Sequence, residues 1–99
     1  MGVVDKHLED IRLLCKIYKV ERMYLFGSAT NSNFSKNSDI DLLVKFKQMD
    51  LADYFDNYVG FKNRLEKIFG RNIDLVEEQS LRNPILINAI NNSKELIYG

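Results

Sequence analysis

The stretch Tyr24-Leu25-Phe26-Gly27-Ser28, followed after residues 29–38 by Asp39-Ile40-Asp41-Leu42-Leu43-Val44, joins two short apolar runs through a polar segment. Each run is too short for an ordinary helix and rich in aromatic and branched aliphatic side chains, which favours strands. The segment between them holds three Asn and three Ser around Phe34, side chains that compete with regular backbone pairing and suit a turn or a single helical turn. Alternation along the second run sets Ile40, Leu42 and Val44 on one face and Asp39, Asp41 and Leu43 on the other. Two strands, the first ending at Gly27, are therefore expected over 22–26 and 40–46.

The polar ends of these strands carry the chemistry. Two carboxylates two residues apart on a strand lie about 6.6 Å apart along its axis and can converge on one magnesium ion or bridge a pair about 3.5–4 Å apart. Magnesium prefers oxygen ligands and commonly takes one or two carboxylates together with substrate phosphates. Gly27 lets the backbone turn sharply, and the amides there, with the Ser28 hydroxyl, can hold phosphate oxygens. A Gly-Ser pair alone is an ordinary turn, and an Asp-x-Asp alone is an ordinary strand edge. Together at this spacing they would arise by chance about once in a thousand chains of this length, which favours a phosphate cradle beside a metal site.

The flanking chain supports that unit. Apolar residues at Val4, Leu8, Ile11, Leu14, Cys15 and Tyr18 follow helical spacing, with His7 in an exposed first turn. A second helix is expected from a cap at Asp50 through Leu51, Tyr54, Phe55, Tyr58, Phe61, Leu65, Ile68 and Phe69, ending at Gly70. Gly60 weakens its middle by about 1 kcal/mol relative to Ala and permits close approach of a neighbour. The aromatic residues 54–61 cover a wide arc of this helix, so that core packing and an interface are both open to them. Ile73 to Glu77 predicts a third strand carrying Asp74 inside an apolar run, where a carboxylate is costly unless a cation compensates it. Asn83 before Pro84 opens a last helix through Leu86, Ala89 and Ile90, which residues 91–93 are expected to break, and 95–98 predicts a short edge strand. The order α, β, β, α, β, α, β implies an α+β chain with a small mixed sheet of three or four strands and flanking helices.

Ninety-nine residues suit one domain spanning 1–99. Fourteen basic and fourteen acidic side chains cancel, which argues against direct nucleic-acid binding. Cys15 is the only cysteine, so no intramolecular disulfide exists, and neither Cys15 nor His7 is assigned a role. No apolar run approaches the roughly 20 residues of a membrane span, so no membrane association and a cytoplasmic location are expected.

At Gly27, Ser28, Asp39, Asp41 and Asp74 the sequence resembles the minimal nucleotidyltransferases of the DNA polymerase beta superfamily, whose signature is Gly-Ser, about ten residues, then Asp-x-Asp. The resemblance spans nearly the whole chain and implies the polymerase-beta-like nucleotidyltransferase fold. It further implies transfer of AMP from ATP to a hydroxyl, with Asp39, Asp41 and Asp74 as catalytic carboxylates holding Mg2+, two ions in all. Gly27 and Ser28 would bind the nucleotide. Many relatives carry an arginine after the Gly-Ser, whereas Ala29, Thr30 and Asn31 stand here; Lys36, Lys45 and Arg71 are the candidates to replace it. The small size resembles the antitoxin half of pairs whose partner is a helical HEPN ribonuclease toxin, which implies a tyrosine of that toxin as acceptor. Two alternatives are a toxin-binding module without catalysis that keeps a nucleotide or metal site, and transfer to a small molecule. Oligomeric state is left open.

Overall fold

The computed structural model describes residues 7–26 and 40–99; Gly27, Ser28, Asp39, Lys36 and the turn joining the first two strands lie outside the described residues. The chain runs α1 (Leu8–Ile17), β1 (Val20–Phe26), β2 (Ile40–Phe46), α2 (Leu51–Phe69), β3 (Ile73–Glu77), α3 (Pro84–Ser93) and β4 (Glu95–Tyr98), with a 3-10 turn at Glu78–Ser80 after β3. The four strands form one sheet in the order β3-β2-β1-β4. β1 pairs antiparallel with both β2 and β4, while β2 and β3 are parallel. A parallel pair needs a crossover connection, and α2 supplies it.

The period-2 pattern explains which face is buried. Ile40, Leu42, Val44 and Phe46 of β2, Met23 and Leu25 of β1, and Ile73 and Leu75 of β3 share one face and are buried. Against them lie Ile11 and Cys15 of α1 and Phe61, Leu65 and Phe69 of α2, which complete the main core. Phe46 is its aromatic hub, meeting Tyr54 and Phe61 edge-on at 5.7 Å each. Such geometry sets the positive ring edge against a negative face.

The helix punctuation follows the sequence. Gly70 ends α2 with φ 66°, the left-handed conformation that glycine adopts without penalty, and its amide bonds the Glu66 carbonyl. The Asn83 side chain accepts from the Ile85 amide at 2.9 Å, capping α3 directly before Pro84. Asp50 occupies the cap position of α2, but its side chain makes no capping bond. Gly60 faces α1: a Cβ built there would stand 3.0 Å from the Tyr18 ring, so the missing side chain is what lets the two helices approach.

Three expectations need correction, and one open alternative is resolved by burial. β1 begins at Val20 rather than Arg22, because a bulge between Val20 and Arg22 turns Glu21 and Arg22 to the same outer face and restores Met23 to the core. Residues 91–93 do not break the last helix. They continue it to Ser93, whose hydroxyl bonds the Ala89 carbonyl, and β4 starts after Lys94. His7 is half-buried rather than exposed, its ring edge-on to Phe69 at 5.7 Å. The aromatic residues of α2 divide: Phe61 is fully buried, Tyr54 and Tyr58 pack partly on the core, and Phe55 is 69% exposed. Leu51, Phe55 and Val59, four residues apart in turn, form an exposed apolar stripe on α2.

Candidate active site at the start of the parallel strands

Asp41 and Asp74 are direct partners in the β2/β3 ladder. Neighbouring strands lie about 4.8 Å apart, and both residues turn away from the main core, so the two carboxylates stand side by side on the outer face. Asp41 is half-buried and Asp74 exposed. Phe26, the last residue of β1, pairs with Asp41 from the other side. β1 therefore ends beside Asp41, one residue into β2. Like charges directly opposite one another destabilise a ladder, and a cation bound between them would relieve that repulsion.

The oxygen donors present suit magnesium, which takes carboxylates and completes its shell with water and phosphate. Among the described residues no group of three or more His, Cys, Asp or Glu is gathered for a metal. The set expected from sequence needs Asp39, which lies outside them together with Gly27 and Ser28.

Beyond Asp41 the outer face changes character. Leu43 is buried, and at the far end of β2 Lys45 bonds Glu21 at 3.4 Å. Lys45 is four residues from Asp41, about 13 Å along the strand, and is held there by its partner rather than at the acids. Arg22 donates to Glu78 through Nε at 3.0 Å and Nη2 at 2.5 Å, a two-pronged contact that reaches from β1 across β2 to the turn after β3. The guanidinium hydrogen bond holds the Glu78 carboxyl below its usual range. Lys94 lies 4.3 Å over the Tyr24 ring.

α2 fastens β3 from its free side. The Glu66 carboxylate accepts from the Ile73 amide at 3.2 Å, and the Tyr58 hydroxyl donates to the Leu75 carbonyl. The Tyr54 hydroxyl donates to the Glu77 carboxylate. Burial, followed by the charges of Asp74 and Glu77, raises the Tyr58 phenol above its ordinary pKa. Glu77 and Glu78, acids that lie close to Asp74 in sequence, are thus engaged elsewhere. These bonds were not read from sequence, although two tyrosines four residues apart on a core-facing helix are a signal: each ring is apolar, and each hydroxyl needs a partner when it is buried.

Two cavities lie near this region. One of about 460 Å³ opens at the far ends of β2 and β3, between Lys45, Lys47, Tyr54 and Glu77. The other, about 470 Å³, is a shallow apolar groove between α2 and β3, lined by Phe55, Tyr58, Leu75 and Val76 among others. Neither is lined by Asp41 or Asp74.

Comparison with known proteins gives one consistent picture. The family described as "Nucleotidyltransferase domain" matches residues 8–97. A protein of Methanocaldococcus jannaschii named "Putative protein adenylyltransferase MJ1379" is 34% identical over 87 residues, covering 88% of this chain and 84% of its own. A solved structure described as "Structure of putative minimal nucleotidyltransferase" superposes with a TM-score of 0.78 at 26% identity, covering 96% of this chain and 95% of the other. The same fold recurs, with a TM-score of 0.65 at 20% identity over 96% of this chain and 71% of the other, in a complex of a tri-AMPylated Shewanella oneidensis HEPN toxin with its MNT antitoxin.

Proposed function

Because this chain belongs to the nucleotidyltransferase domain family, we propose that it transfers AMP from ATP to a tyrosine hydroxyl of a HEPN ribonuclease toxin, thereby acting as its antitoxin. The observation that carries the chemistry is the pairing of Asp41 with Asp74 on the outer face, directly beside the exit of β1 toward Gly27. The acceptor class rests on the relatives: one is named for protein adenylylation, and a structural neighbour sits in a complex with an AMP-modified HEPN toxin.

Asp39, Asp41 and Asp74 would hold the magnesium ions. Magnesium bound there supplies charge neutralisation of the triphosphate and of the charge that develops during transfer. Gly27 and Ser28 would offer backbone amides and a hydroxyl to the outgoing phosphates. Asp74, the more exposed acid, would accept the proton of the incoming hydroxyl. The acceptor oxygen forms a bond to the α-phosphorus, the bond from that phosphorus to the bridging oxygen breaks, and pyrophosphate leaves with the electron pair. The protein's share is positioning and electrostatics, with no covalent enzyme intermediate.

Incubation with labelled ATP, magnesium and a HEPN toxin from the same organism tests the reading. Label is expected on the toxin, lost on chelation of the metal, and reduced by roughly two orders of magnitude or more in Asp41→Asn and Asp74→Asn at unchanged circular dichroism. An unlabelled toxin, with the two proteins shown to associate, would overturn it. Residues 29–31 favour a second reading, because no arginine follows the Gly-Ser and Lys45 is committed to Glu21. A toxin-binding antitoxin without catalysis would leave the Asp41/Asp74 double variant still protective in cells.

A further inference from the structure

We propose that Tyr58 and Glu66 are positioning residues for the reaction, holding Asp74 in register with Asp41 by closing the free edge of β3 on both sides of it. The inference rests on the reading of Asp74 as the third carboxylate. It concerns two residues of α2 that have no other evident reason to carry polar groups against the sheet.

β3 is the outermost strand and only five residues long. Backbone groups of successive residues point to opposite edges of a strand. The Asn72 carbonyl accepts from the Ile40 amide at 3.2 Å, so residues 72, 74 and 76 address β2, and 73, 75 and 77 address the free edge. Asp74 is therefore held by its own backbone on the β2 side alone. On the other side the Ile73 amide meets the Glu66 carboxylate at 3.2 Å, and the Leu75 carbonyl receives the Tyr58 hydroxyl. These bonds fall on the residues immediately before and after Asp74.

The consequence is mechanical. A short edge strand frays or slips readily, and a one-residue slip would turn Asp74 to the core face and Ile73 or Leu75 out. Two side chains from one helix, itself anchored by Phe61 and Leu65 in the core, remove that freedom. Small misplacements of a catalytic group cost far more rate than stability, so the clamp should be read in turnover before it is read in melting temperature.

Tyr58→Phe keeps the ring against Phe46 and removes only the hydroxyl. Glu66→Leu removes the acceptor, whereas Glu66→Gln keeps one oxygen for the Ile73 amide. Steady-state AMP transfer is expected to show kcat reduced about tenfold in Tyr58→Phe and Glu66→Leu, with KM for ATP within about twofold, and recovery toward wild type in Glu66→Gln. On an Asp74→Asn background the same changes should add almost nothing, because what they position is gone. Full additivity on that background, or an unchanged kcat in Tyr58→Phe, would overturn the proposal. A wild-type chain that transfers nothing would instead count against the function proposed above. The clamp is then read by Mn2+ titration: paramagnetic broadening of the Asp74 and Val76 amide resonances should need severalfold more Mn2+ in Tyr58→Phe, and equal titrations would overturn the clamp by themselves.

Discussion

Arg22 and Glu78 are 56 residues apart in sequence and meet through two hydrogen bonds, one at 3.0 Å and one at 2.5 Å. The bulge that turns Arg22 outward makes the contact available, and the turn after β3 delivers Glu78 to it. Because the guanidinium lowers the Glu78 pKa below 4.5, folding is favoured whenever the carboxylate is ionised. That contribution is fully present above pH 4.5 and fades as the pH falls through the lowered folded value. Melting curves of wild type and Glu78→Gln should therefore be separated at pH 7 and draw together as the pH falls below 4.5 through the lowered folded value. A gap that stays constant with pH would show that the side chain acts through packing alone. The roles proposed for Asp41 and Asp74, by contrast, do not depend on this end of the outer face.

At the scale of an element, the contact between α1 and α2 turns on Gly60. An alanine in mid-helix is ordinarily worth about 0.5–1 kcal/mol over glycine. Here its Cβ would meet the Tyr18 ring at 3.0 Å, and that ring is itself lodged against Phe61 at 5.6 Å. Gly60→Ala should thus give no gain in the native chain, and a gain of roughly 0.5–1 kcal/mol once Tyr18→Ala has cleared the space. Urea unfolding of the four proteins of this cycle measures it, and equal effects in both backgrounds would show that the contact is not limiting. The ends of α2 were legible in the sequence, since Asp50 and Gly70 bracket an unbroken apolar period. The last turn of α3 was not. Residues 91–93 are poor helix formers, yet burial of Ile90 and pairing of β4 with β1 carry the helix to Ser93.

The whole molecule closes over Cys15. The thiol has no exposed surface, and burial pushes its pKa up to about 12. A raised pKa means that the folded state keeps the proton that the unfolded chain gives up near 9.0, so stability is full below that pH and declines as the pH rises toward the folded value. It also means that a thiol reagent at pH 8 must wait for the core to open. Labelling of the folded chain should be slow and should accelerate with urea along the global unfolding slope; immediate labelling in native buffer would show that α1 opens by itself. None of the described helices is long and apolar enough to cross a membrane.

By itself the sequence determined the order of the elements and the family to which the chain belongs. Period-2 and period-3.6 patterns are local, which is why the order of strands and helices and the mixed sheet could be read from residues near one another in the chain, while Asp41 was proposed from the Asp-x-Asp spacing and Asp74 from its place in an apolar strand. Gly27, Ser28 and Asp39 rest on that spacing alone. Only the tertiary structure decided the partners: that Asp74 faces Asp41 across a parallel ladder, that Lys45 is spent on Glu21, that Phe55 is outside while Phe61 is inside, and that Tyr58 and Glu66 close the edge of β3. The reason is physical. Strand register and helix rotation are fixed by packing among residues tens of positions apart, and a side chain's hydrogen-bond partner follows from that packing rather than from its neighbours in sequence.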